Sequence, residues 1–551
     1  MALTGRQRPP SEHAFSPHDA VLRTAAPHVA RRRFLNVTAA AAMLAFTTNR
    51  PARGATAAPE LDAARITDDP FILGVASGDP LPDSVLIWTR LAPEPFAEDG
   101  GLGRQRVVVY WEVAMDEWFA FVEHRGGGHR PSRVRPQRAR RRQGSDAGQP
   151  LLLPVPGGRL DQPHGPDPYG TGSGQRRRQH AAGRRGLPGL PGRLPHRPPA
   201  SGAGGRRRGL PPRRLPVRVR RGLGRRSPPL HRCQTARRVQ PEATTLADYR
   251  LRHALYKTDP DLRAAHAQHP FVVTWDDHET ENNYAGAIDE RNSPQEEFLV
   301  RRAAAYRAYW ENQPLRAEQL PQGPDAQLYR RLAWGSLAQF DVLDTRQYRF
   351  DQAYNERPHA WGAESDDPAR TLTGAEQERW LLDGWRASGA LWNVMPQQVC
   401  FSQRKLDLTV PARGSMDAWD GYRASRNRVM AGAKAAGIDN WIVLTGDVHV
   451  GYAFDIKDDF DDPQSRTVGT EFTCTSLASG GNGAEKPADW DTYMKANPHM
   501  KYFDGRRGYV RVELGRENAQ GDFRTVSAIT KPGGAPSRRP RPSSRRWVRP
   551  A

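Results

Sequence analysis

The sequence is poor in cysteine, in apolar residues and in long hydrophobic runs. Only three of the 551 residues are cysteine, which excludes a fold held together by many disulfides. Apolar residues make up 37% of the chain, below the share of about 45–50% that is usual for globular proteins. The mildly apolar run Val37–Thr47 is shorter than the ~20 residues that a membrane-spanning helix needs. The length still allows two or three domains with a sizeable core, and no stable membrane insertion is predicted.

Two familiar catalytic motifs are also absent. The sequence contains no Gly-x-Ser-x-Gly elbow that would present a serine nucleophile. It also contains no glycine-rich phosphate-binding motif ahead of a helix-like stretch. Cys400 and Cys474 lie in apolar runs and are predicted to be buried thiols.

Lysine is absent from the segment that carries the positive charge. Residues 124–240 hold 29 arginines against three acidic residues, a net charge of +26, so the other 434 residues carry a net −5. The net charge of the whole chain, +21, suggests a nucleic acid or an anionic membrane as partner. Because the excess belongs to one segment, the rest of the chain gives no reason to expect a specific nucleic acid partner.

We interpret residues 124–240 as the product of a shifted reading frame. In a GC-rich gene a shifted frame yields arginine, proline, glycine and alanine. If one nucleotide is dropped, the codons of Pro212–Arg220 can encode Gly-Asp-Tyr, and those around Gly186–Pro188 can encode Ala-Cys-Gln. In the same frame, the codons of Leu151–Gly157 can encode a strand-like sequence. The basic tail, residues 536–551, has a similar composition. A disordered basic arm is the alternative, although such arms usually mix lysine with arginine.

The first 57 residues have the organisation of an export signal. Adjacent arginines in Ala30–Asn36 are followed by the apolar run and then by Ala55-Thr56-Ala57, a small-x-small cleavage site. This order predicts recognition by the twin-arginine export machinery and a secreted, extracytoplasmic protein. A basic, alanine-rich tail without a targeting role is the alternative.

Strand-like and helix-like patterns divide the remaining sequence into two parts. Asp68–Pro93 and Val107–Val113 predict strands of a small antiparallel β-domain. From residue 245 onward the pattern is α/β, with buried-strand runs at Phe271–Trp275 and Trp441–Thr445. Helix-like stretches between them span residues 293–313 and 373–388, and the second begins with Thr373-Gly-Ala-Glu376, which predicts a capping box.

Acidic and histidine residues follow both buried-strand runs. The first run ends in Trp275–Glu279 (WDDHE) and the second is followed by Gly446–His449 (GDVH). Ligands of an open α/β sheet gather at the carboxyl ends of its strands, and carboxylate and imidazole groups suit metals. Burying several ionisable groups is costly unless a cation compensates them. We therefore predict a metal site formed by Asp276, Asp277, Asp447 and His449. In the alternative, the two aspartates of WDDHE cap a turn and His278 is solvated.

With these motifs in this order, the chain resembles the PhoD-like phosphatases of the metallophosphoesterase superfamily. The resemblance covers residues 68–123 and 241–530. It rests on the twin-arginine leader, on WDDHE with Asn282-Asn283, on GDVH, and on four further segments: 71–93, 343–348, 419–422 and 476–481.

The resemblance implies a fold, an activity and cofactors. The implied fold is α/β, a four-layer α/β/β/α sandwich preceded by a small antiparallel β-rich domain. The implied activity is hydrolysis of phosphomonoesters and phosphodiesters by metal-activated water, with Fe³⁺ and Ca²⁺ as cofactors. The implied division is a signal region (1–57), a truncated β-rich domain (68–123), the anomalous segment (124–240), a metallophosphoesterase domain (241–535) and the basic tail (536–551).

The resemblance also implies roles for single residues. Asp277 stands where the superfamily places a metal-bridging Asn or Asp, Asp447 and His449 would complete the metal shell, and Asp276 would be a further ligand. His278 would donate a proton or hydrogen bond to the phosphoryl oxygen or the leaving group. The substrate-binding candidates are Asn283, Arg346 and Tyr422, with Trp419 beside the cleft. Arg346 could equally be a structural ion-pair partner, and the two aromatic residues could equally belong to the core. Residues 476–481 would shape a loop near the metals.

The chain departs from the family inside the anomalous segment. The cysteine, aspartate and tyrosine that the family resemblance leads us to expect there as iron ligands are absent from the sequence as written. The 551-residue chain is therefore predicted to be inactive and misfolded, whereas the product of an intact frame would be active. A pseudoenzyme, or a polyanion-binding protein acting through the arginine-rich segment, remains an alternative.

Overall fold

The computed structural model describes residues 68–531, with gaps at 83, 104–106, 115–118, 120, 130–150, 157–216 and 220–241, and also residues 544–548. The predicted export signal lies outside the described residues. So do most of the arginine-rich segment and most of the basic tail.

Two small β-sheets form the N-terminal region. In the first, β1 (Val75–Leu81) and β2 (Ser84–Thr89) pair in antiparallel fashion. The second centres on β3 (Val108–Ala114), where the buried Val109, Trp111 and Val113 alternate with the exposed Tyr110, as expected of a half-buried strand. The remaining strands are β4 (Val122–His129) and β6 (Val217–Val219) on either side of β3, β5 (Leu151–Pro156) beside β2, and β7 (Pro270–Phe271) parallel to β1. The predicted antiparallel β-rich region is confirmed, and β4 runs past residue 123.

The strand predicted over Phe271–Trp275 is wrong for all but its first residue. Beyond β7, residues 272–276 have no regular secondary structure and no strand partner in the described part of the chain. Side chains take the place of that partner. Arg330 Nη2 donates to the carbonyl of Val273 at 2.9 Å, and Gln398 Nε2 donates to the carbonyl of Trp275 at 2.7 Å.

A seven-stranded mixed sheet forms the centre of the second region. Its strands in chain order are β8 (Arg330–Trp334), β9 (Ala338–Val342), β11 (Trp392–Pro396), β13 (Trp441–Thr445), β14 (Gly451–Lys457), β15 (Thr467–Thr473) and β16 (Met500–Asp504), with β10 (His359–Ala360) and β12 (Arg413–Gly414) in a separate ribbon. The spatial order is β16-β14-β15-β13-β11-β9-β8. The four central strands are parallel, so their carboxyl ends meet at one edge. The predicted buried strand Trp441–Thr445 is confirmed as β13.

The sheet is covered on both faces. On one face, Trp441 and Val443 of β13 pack with two helices, α4 (Gly374–Arg386) and α5 (Arg423–Ala435). On the other face, Ile442 packs with a three-stranded sheet formed by β17 (Gly508–Leu514), β18 (Asn518–Thr525) and β19 (Ser544–Val548). Each fully buried large apolar side chain contributes about 1.5–3 kcal/mol. This packing confirms the predicted α/β class with two stacked sheets.

Four further helices complete the described elements: α1 (Leu246–Lys257), α2 (Pro260–Gln268), α3 (Gln295–Asn312) and α6 (Trp490–Ala496). The helix predicted over residues 293–313 is confirmed as α3. Its Tyr306 ring stacks on Trp275 with 3.9 Å between ring centroids, so α3 supports the segment that carries WDDHE. None of the helices in the described ranges has the length and apolar character to cross a membrane.

The capping box predicted at Thr373 is wrong, although the helix itself is present as α4. The Thr373 side chain makes no capping hydrogen bond. Instead, the hydroxyl oxygen of Thr371 accepts the backbone N–H groups of Thr373 and Gly374 at 3.3 and 3.1 Å. Gly374, the first residue of the helix, has φ +73°, a left-handed conformation that glycine adopts without strain.

Candidate active site

The candidate site lies where the parallel strands of the large sheet end. Residues 343–346 follow β9, residues 397–398 follow β11, and residues 446–449 follow β13. The extended segment after β7 brings WDDHE to the same edge. The structure therefore brings together the two motifs that the sequence places far apart.

Gln398 connects these strand ends. Its Nε2 donates to the carbonyls of Trp275 and Leu343 at 2.7 and 3.0 Å, and its Oε1 accepts the N–H of Thr345 at 3.1 Å. Its backbone carbonyl accepts the N–H of Gly446 at 2.9 Å. One glutamine thus fixes the spacing of three strand-end segments. Sequence analysis missed it because nothing in its local pattern distinguishes it from a core amide.

A single buried arginine lies at the centre of the site. Arg346 has no exposed surface, and its Nε donates to Asp276 Oδ1 at 2.6 Å. Its Nη1 and Nη2 donate to the two oxygens of Asp417 at 2.9 and 3.0 Å. Asp447 Oδ1 and Asp277 Oδ2 lie 3.6 and 3.9 Å from Nη2. Four carboxylates therefore surround one guanidinium, which favours the ion-pair interpretation of Arg346 over direct substrate contact.

Asp417 is a site residue that sequence analysis missed. Besides Arg346, its Oδ1 accepts hydrogen bonds from Arg349 Nη1 at 2.6 Å and from Gln352 Nε2 at 2.8 Å. Burial opposes ionisation, but the two arginines hold the pKa of Asp417 below its usual value. Its position two residues before Trp419, at the start of the segment 419–422, was the one available signal.

The negative charges of the other carboxylates are less fully balanced by positive groups. Burial, followed by the charges of Asp276 and Asp417, raises the pKa of Asp447 well above its usual value. Burial also raises the pKa of Asp276, with a smaller contribution from Asp277. Four carboxylates face two arginines, so the site has a negative surplus that a bound cation would offset.

The donor chemistry of the site fits a metal, although the ligand set is incomplete. Asp276, Asp277 and Asp447 supply the carboxylate oxygens that Ca²⁺ and Fe³⁺ accept. Within the described ranges, no three or more His, Cys, Asp or Glu side chains are arranged to hold a metal ion. His449, the predicted imidazole ligand, lies on the exposed side of its loop.

Asp277 also organises the turn that follows it. Its Oδ1 accepts the N–H of His278 at 2.7 Å, and its Oδ2 accepts the N–H of Asn283 at 2.9 Å. The His278 side chain is exposed. These contacts match the turn-capping alternative for Asp277, and they leave the imidazole of His278 accessible to a ligand. The Asn283 Nδ2 group points to Glu356 Oε2, 3.3 Å away.

The backbone of the site loops is strained. Nine non-glycine residues in the described part of the chain have positive φ. Six of them lie in these loops: Asn283, Tyr354, Asn355, Glu356, Asp447 and His449. Each such residue costs about 1–3 kcal/mol and persists only where its surroundings fix it. Strain concentrated in one place is typical of a functional site.

The aromatic residues and thiols lie in the interior. Trp419 and Tyr422 are completely buried, and the Tyr422 hydroxyl donates to the carbonyl of Phe350 at 2.6 Å. This placement favours the core interpretation of both residues over the cleft. Cys400 is buried and Cys474 is half-buried, and burial raises the pKa of both thiols.

Comparison with known proteins shows the class to which this fold and site belong. The profile of the PhoD-like phosphatases matches residues 225–523, and the profile of the N-terminal domain of the same phosphatases matches residues 55–135. The first match alone spans more than half of the chain, which therefore belongs to the PhoD-like phosphatase family. The two matches leave residues 136–224 between them, inside the arginine-rich segment.

Two individual relatives make the family assignment more specific. The chain is 41% identical to alkaline phosphatase D of Bacillus subtilis (strain 168) over 503 residues, which are 87% of this chain and 82% of that protein. It also matches a solved structure of PhoD with a TM-score of 0.69 and 35% identity, covering 89% of this chain and 92% of that one. These relatives support a phosphatase function.

Proposed function

We propose that this chain is an exported, metal-dependent phosphatase that hydrolyses phosphomonoesters or phosphodiesters. The observation that carries the proposal is the convergence of four carboxylates on the buried Arg346. Membership of a phosphatase family supports the reaction class, and the negative surplus supports the need for a cation. The carboxylates are those of Asp276, Asp277, Asp417 and Asp447.

The proposed cations are Fe³⁺ and Ca²⁺, held by Asp276, Asp277, Asp447 and His449. Bound there, they would neutralise charge on the phosphoryl group and promote the ionisation of an attacking water. Arg346 and Asp417 act through these ligands. The guanidinium orients the Asp276 carboxylate at 2.6 Å, and Asp417 fixes the guanidinium with two hydrogen bonds.

Two residues are proposed to act on the substrate itself. His278 is exposed directly after Asp277, where its imidazole can donate a proton to the leaving-group oxygen. Asn283 is half-buried in the same turn, and its Nδ2 group can donate to a phosphoryl oxygen. Arg346 is enclosed by carboxylates and takes a positioning role instead.

Metal loading followed by an ester assay tests this proposal. The purified product of the intact frame, supplied with Fe³⁺ and Ca²⁺, should hydrolyse p-nitrophenyl phosphate or bis(p-nitrophenyl) phosphate, and chelation should abolish the activity. The 551-residue chain as written should be inactive under the same conditions. Asp447→Asn should lower the rate of ester hydrolysis by about 10- to 100-fold. Asp458→Asn is the matched control, because Asp458 pairs with Lys434 at the surface, at 2.9 Å. Failure of the loaded intact-frame product to hydrolyse either ester would contradict the proposal, whereas activity of the 551-residue chain would contradict the shifted-frame interpretation.

The arginine-rich segment favours the alternatives to this proposal. It stands where the family has its Cys-containing and Gly-Asp-Tyr blocks, so an inactive pseudoenzyme is the main competitor. Sequencing the gene across codons 122–242 separates the two, because one missing or extra base near each end would restore both blocks. Polyanion binding that weakens steeply with salt would instead support a binding role for the segment.

Export through the twin-arginine route is tested in cells. Changing Arg31, Arg32 and Arg33 to lysine should leave the protein in the cytoplasm, because the route depends on the paired arginines. Changing Arg6 and Arg8 to lysine preserves the same charge outside the motif and should not affect export. Fractionation followed by detection of the cleaved chain measures both results.

A further inference from the structure

A second buried arginine lies under the other loop of the candidate site. Arg507 Nη1 donates to the carbonyls of His449 and Gly505 at 2.5 and 2.9 Å. Its Nη2 donates to the carbonyl of Gly480 at 2.7 Å, and its Nε donates to that of Gly481 at 2.9 Å. All four acceptors are backbone carbonyls, and no ion pair of Arg507 occurs among the described residues. The guanidinium therefore links segments of backbone instead of balancing a charge.

The linked segments come from three different places in the chain. The GDVH loop follows β13, residues 476–481 follow β15, and Gly505 precedes β17. Removing a cation from water without a carboxylate partner is costly. Hydrogen bonds from a charged donor are stronger than neutral ones, so the four bonds offset that cost only while all three segments stay in place.

The GDVH loop needs such support because its backbone is strained. His449 has φ +57° and Asp447 has φ +69°, a conformation that non-glycine residues keep only when their surroundings fix it. The carbonyl of His449 accepts two hydrogen bonds, one from Arg507 and one from Thr475 Oγ1 at 2.9 Å. These two donors set the direction of the peptide group and thereby the position of the imidazole.

At Gly480, the loop of residues 476–481 lies close to both Arg507 and His449. A Cβ atom built on this glycine would lie 2.8 Å from Arg507 Nη2 and 3.6 Å from His449 Nδ1. The first distance is shorter than real Cβ contacts, so a side chain at this position would require the guanidinium of Arg507 to shift. The loop of residues 476–481, here named the glycine loop, therefore runs close to His449, and Arg507 donates hydrogen bonds to both.

We propose that Arg507 is a positioning residue that joins the GDVH loop to the glycine loop and so fixes His449 for phosphate-ester hydrolysis. The inference rests on the function proposed above for the role of His449. It adds a residue outside both motifs, reached only through the fold. Its removal should free both loops together while leaving β13 intact.

Hydrogen exchange of the full chain tests the linkage without requiring activity. In Arg507→Gln and Arg507→Lys, amides of residues 446–451 and 476–483 should exchange at least about tenfold faster than in the parent protein. Lysine keeps the charge, but its single nitrogen cannot span the segments that the guanidinium joins. Arg506→Gln is the matched control, since Arg506 pairs with Asp504 at 2.5 Å and with Glu485 at 3.3 Å, and should leave both loops unchanged.

The exchange rates in the Arg507 variants distinguish a positioning role of Arg507 from a general role in the stability of the fold. Faster exchange in both loops, with the β13 amides still protected, supports the proposal. Unchanged exchange at residues 446–451 overturns it, and so does unfolding of both variants with β13 exchanging as fast as the loops.

Kinetics of the metal-loaded chain give a second readout. Arg507→Gln should lower kcat by about 10- to 100-fold with little change in KM, and Arg507→Lys should restore little of it. An equal loss in Arg506→Gln would overturn the specific role. These kinetics are measured on the product of the intact frame. If that parent protein hydrolyses no ester, the proposed function fails, whereas the exchange experiment still decides whether Arg507 holds the loops.

Discussion

The two loops of the candidate site are fixed by different chemistry. The WDDHE loop is tied to Arg346 by carboxylates, with Asp276 2.6 Å from the guanidinium. The GDVH loop adds Asp447 to the same carboxylate cluster, 3.6 Å from Arg346, and its other end is tied to Arg507 by a backbone carbonyl, with His449 O 2.5 Å from the guanidinium. Both arginines are buried, but one neutralises charge and the other braces backbone.

This difference predicts how each loop responds to change. A carboxylate cluster depends on its net charge, so the WDDHE side should respond to mutations that alter charge and to cations. A carbonyl clamp depends on geometry, so the GDVH side should respond to mutations that alter shape even when the charge is kept.

Removing the central cation should have the largest effect. Arg346→Met would leave the half-buried Asp276 without its arginine partner and Asp417 with only one of its two arginines. Breaking the ion pairs of a buried arginine in this way costs about 3–5 kcal/mol. Urea unfolding measures the loss. Arg386→Met is the control, because its pair with Asp383 is exposed and should contribute less than about 1 kcal/mol. Similar losses in the two variants would show that the carboxylate cluster does not hold the loop.

Acid should destabilise the fold through a histidine that belongs to neither loop. His499 is buried, donates from Nε2 to the carbonyl of Gln403 at 2.7 Å, and burial lowers its pKa to about 4. The unfolded chain takes up the proton near pH 6.5 and the folded chain only near 4, so stability falls as the pH drops between these values. This difference in pKa corresponds to a loss of about 3 kcal/mol in the free energy of unfolding.

Unfolding measured between pH 7 and pH 4 checks this expectation. His499→Gln should remove this part of the pH dependence while costing some stability at pH 7. Retention of the full pH dependence in the variant would assign it to two other histidines, His253 and His266, because burial lowers the pKa of each to about 3. The raised pKa values of Asp276 and Asp447 act in the opposite direction, since their protonation favours the folded state as the pH falls.

The sequence predicted the strand ends and their motifs because those depend on local patterns. Trp441–Thr445 alternates its side chains between two packed faces, and the motif that follows it reaches the sheet edge as expected. Gln398, Asp417 and Arg507 could not be predicted in the same way. Each acts on segments far away in the chain, and their roles exist only once the fold brings these segments together.

The same reason explains the two local errors. The residues after Phe271 have the composition of a strand, but side chains of Arg330 and Gln398 supply the hydrogen bonds that a partner strand would have made. Thr373 has the spacing of a capping box, but Thr371 occupies that role because Gly374 turns the chain. In both cases tertiary contacts outweighed the local pattern.

Neutralising Asp417 should have a smaller effect than removing Arg346. Asp417→Asn keeps the shape but weakens hydrogen bonds from Arg346 and Arg349, which should cost about 1–3 kcal/mol. Asp407→Asn is the control, because Asp407 pairs with the exposed Arg413 at 2.6 Å. Urea unfolding compares the two, and equal losses would argue against a special role for Asp417.

The smallest expected effect distinguishes the steric clash of a new side chain from the strain of a left-handed backbone in the glycine loop. Gly480 and Gly481 have similar left-handed angles, φ +75° and +68°, so an alanine at either position costs about 1 kcal/mol in strain. Only at Gly480 would the new Cβ approach Arg507, at 2.8 Å, whereas at Gly481 nothing lies within 4 Å. Gly480→Ala should therefore be the more destabilising of the two, by about 1 kcal/mol or more, and should also speed exchange at residues 446–451. Equal effects of the two variants would mean that the guanidinium moves freely, and the GDVH loop would then need a different explanation for its strained backbone.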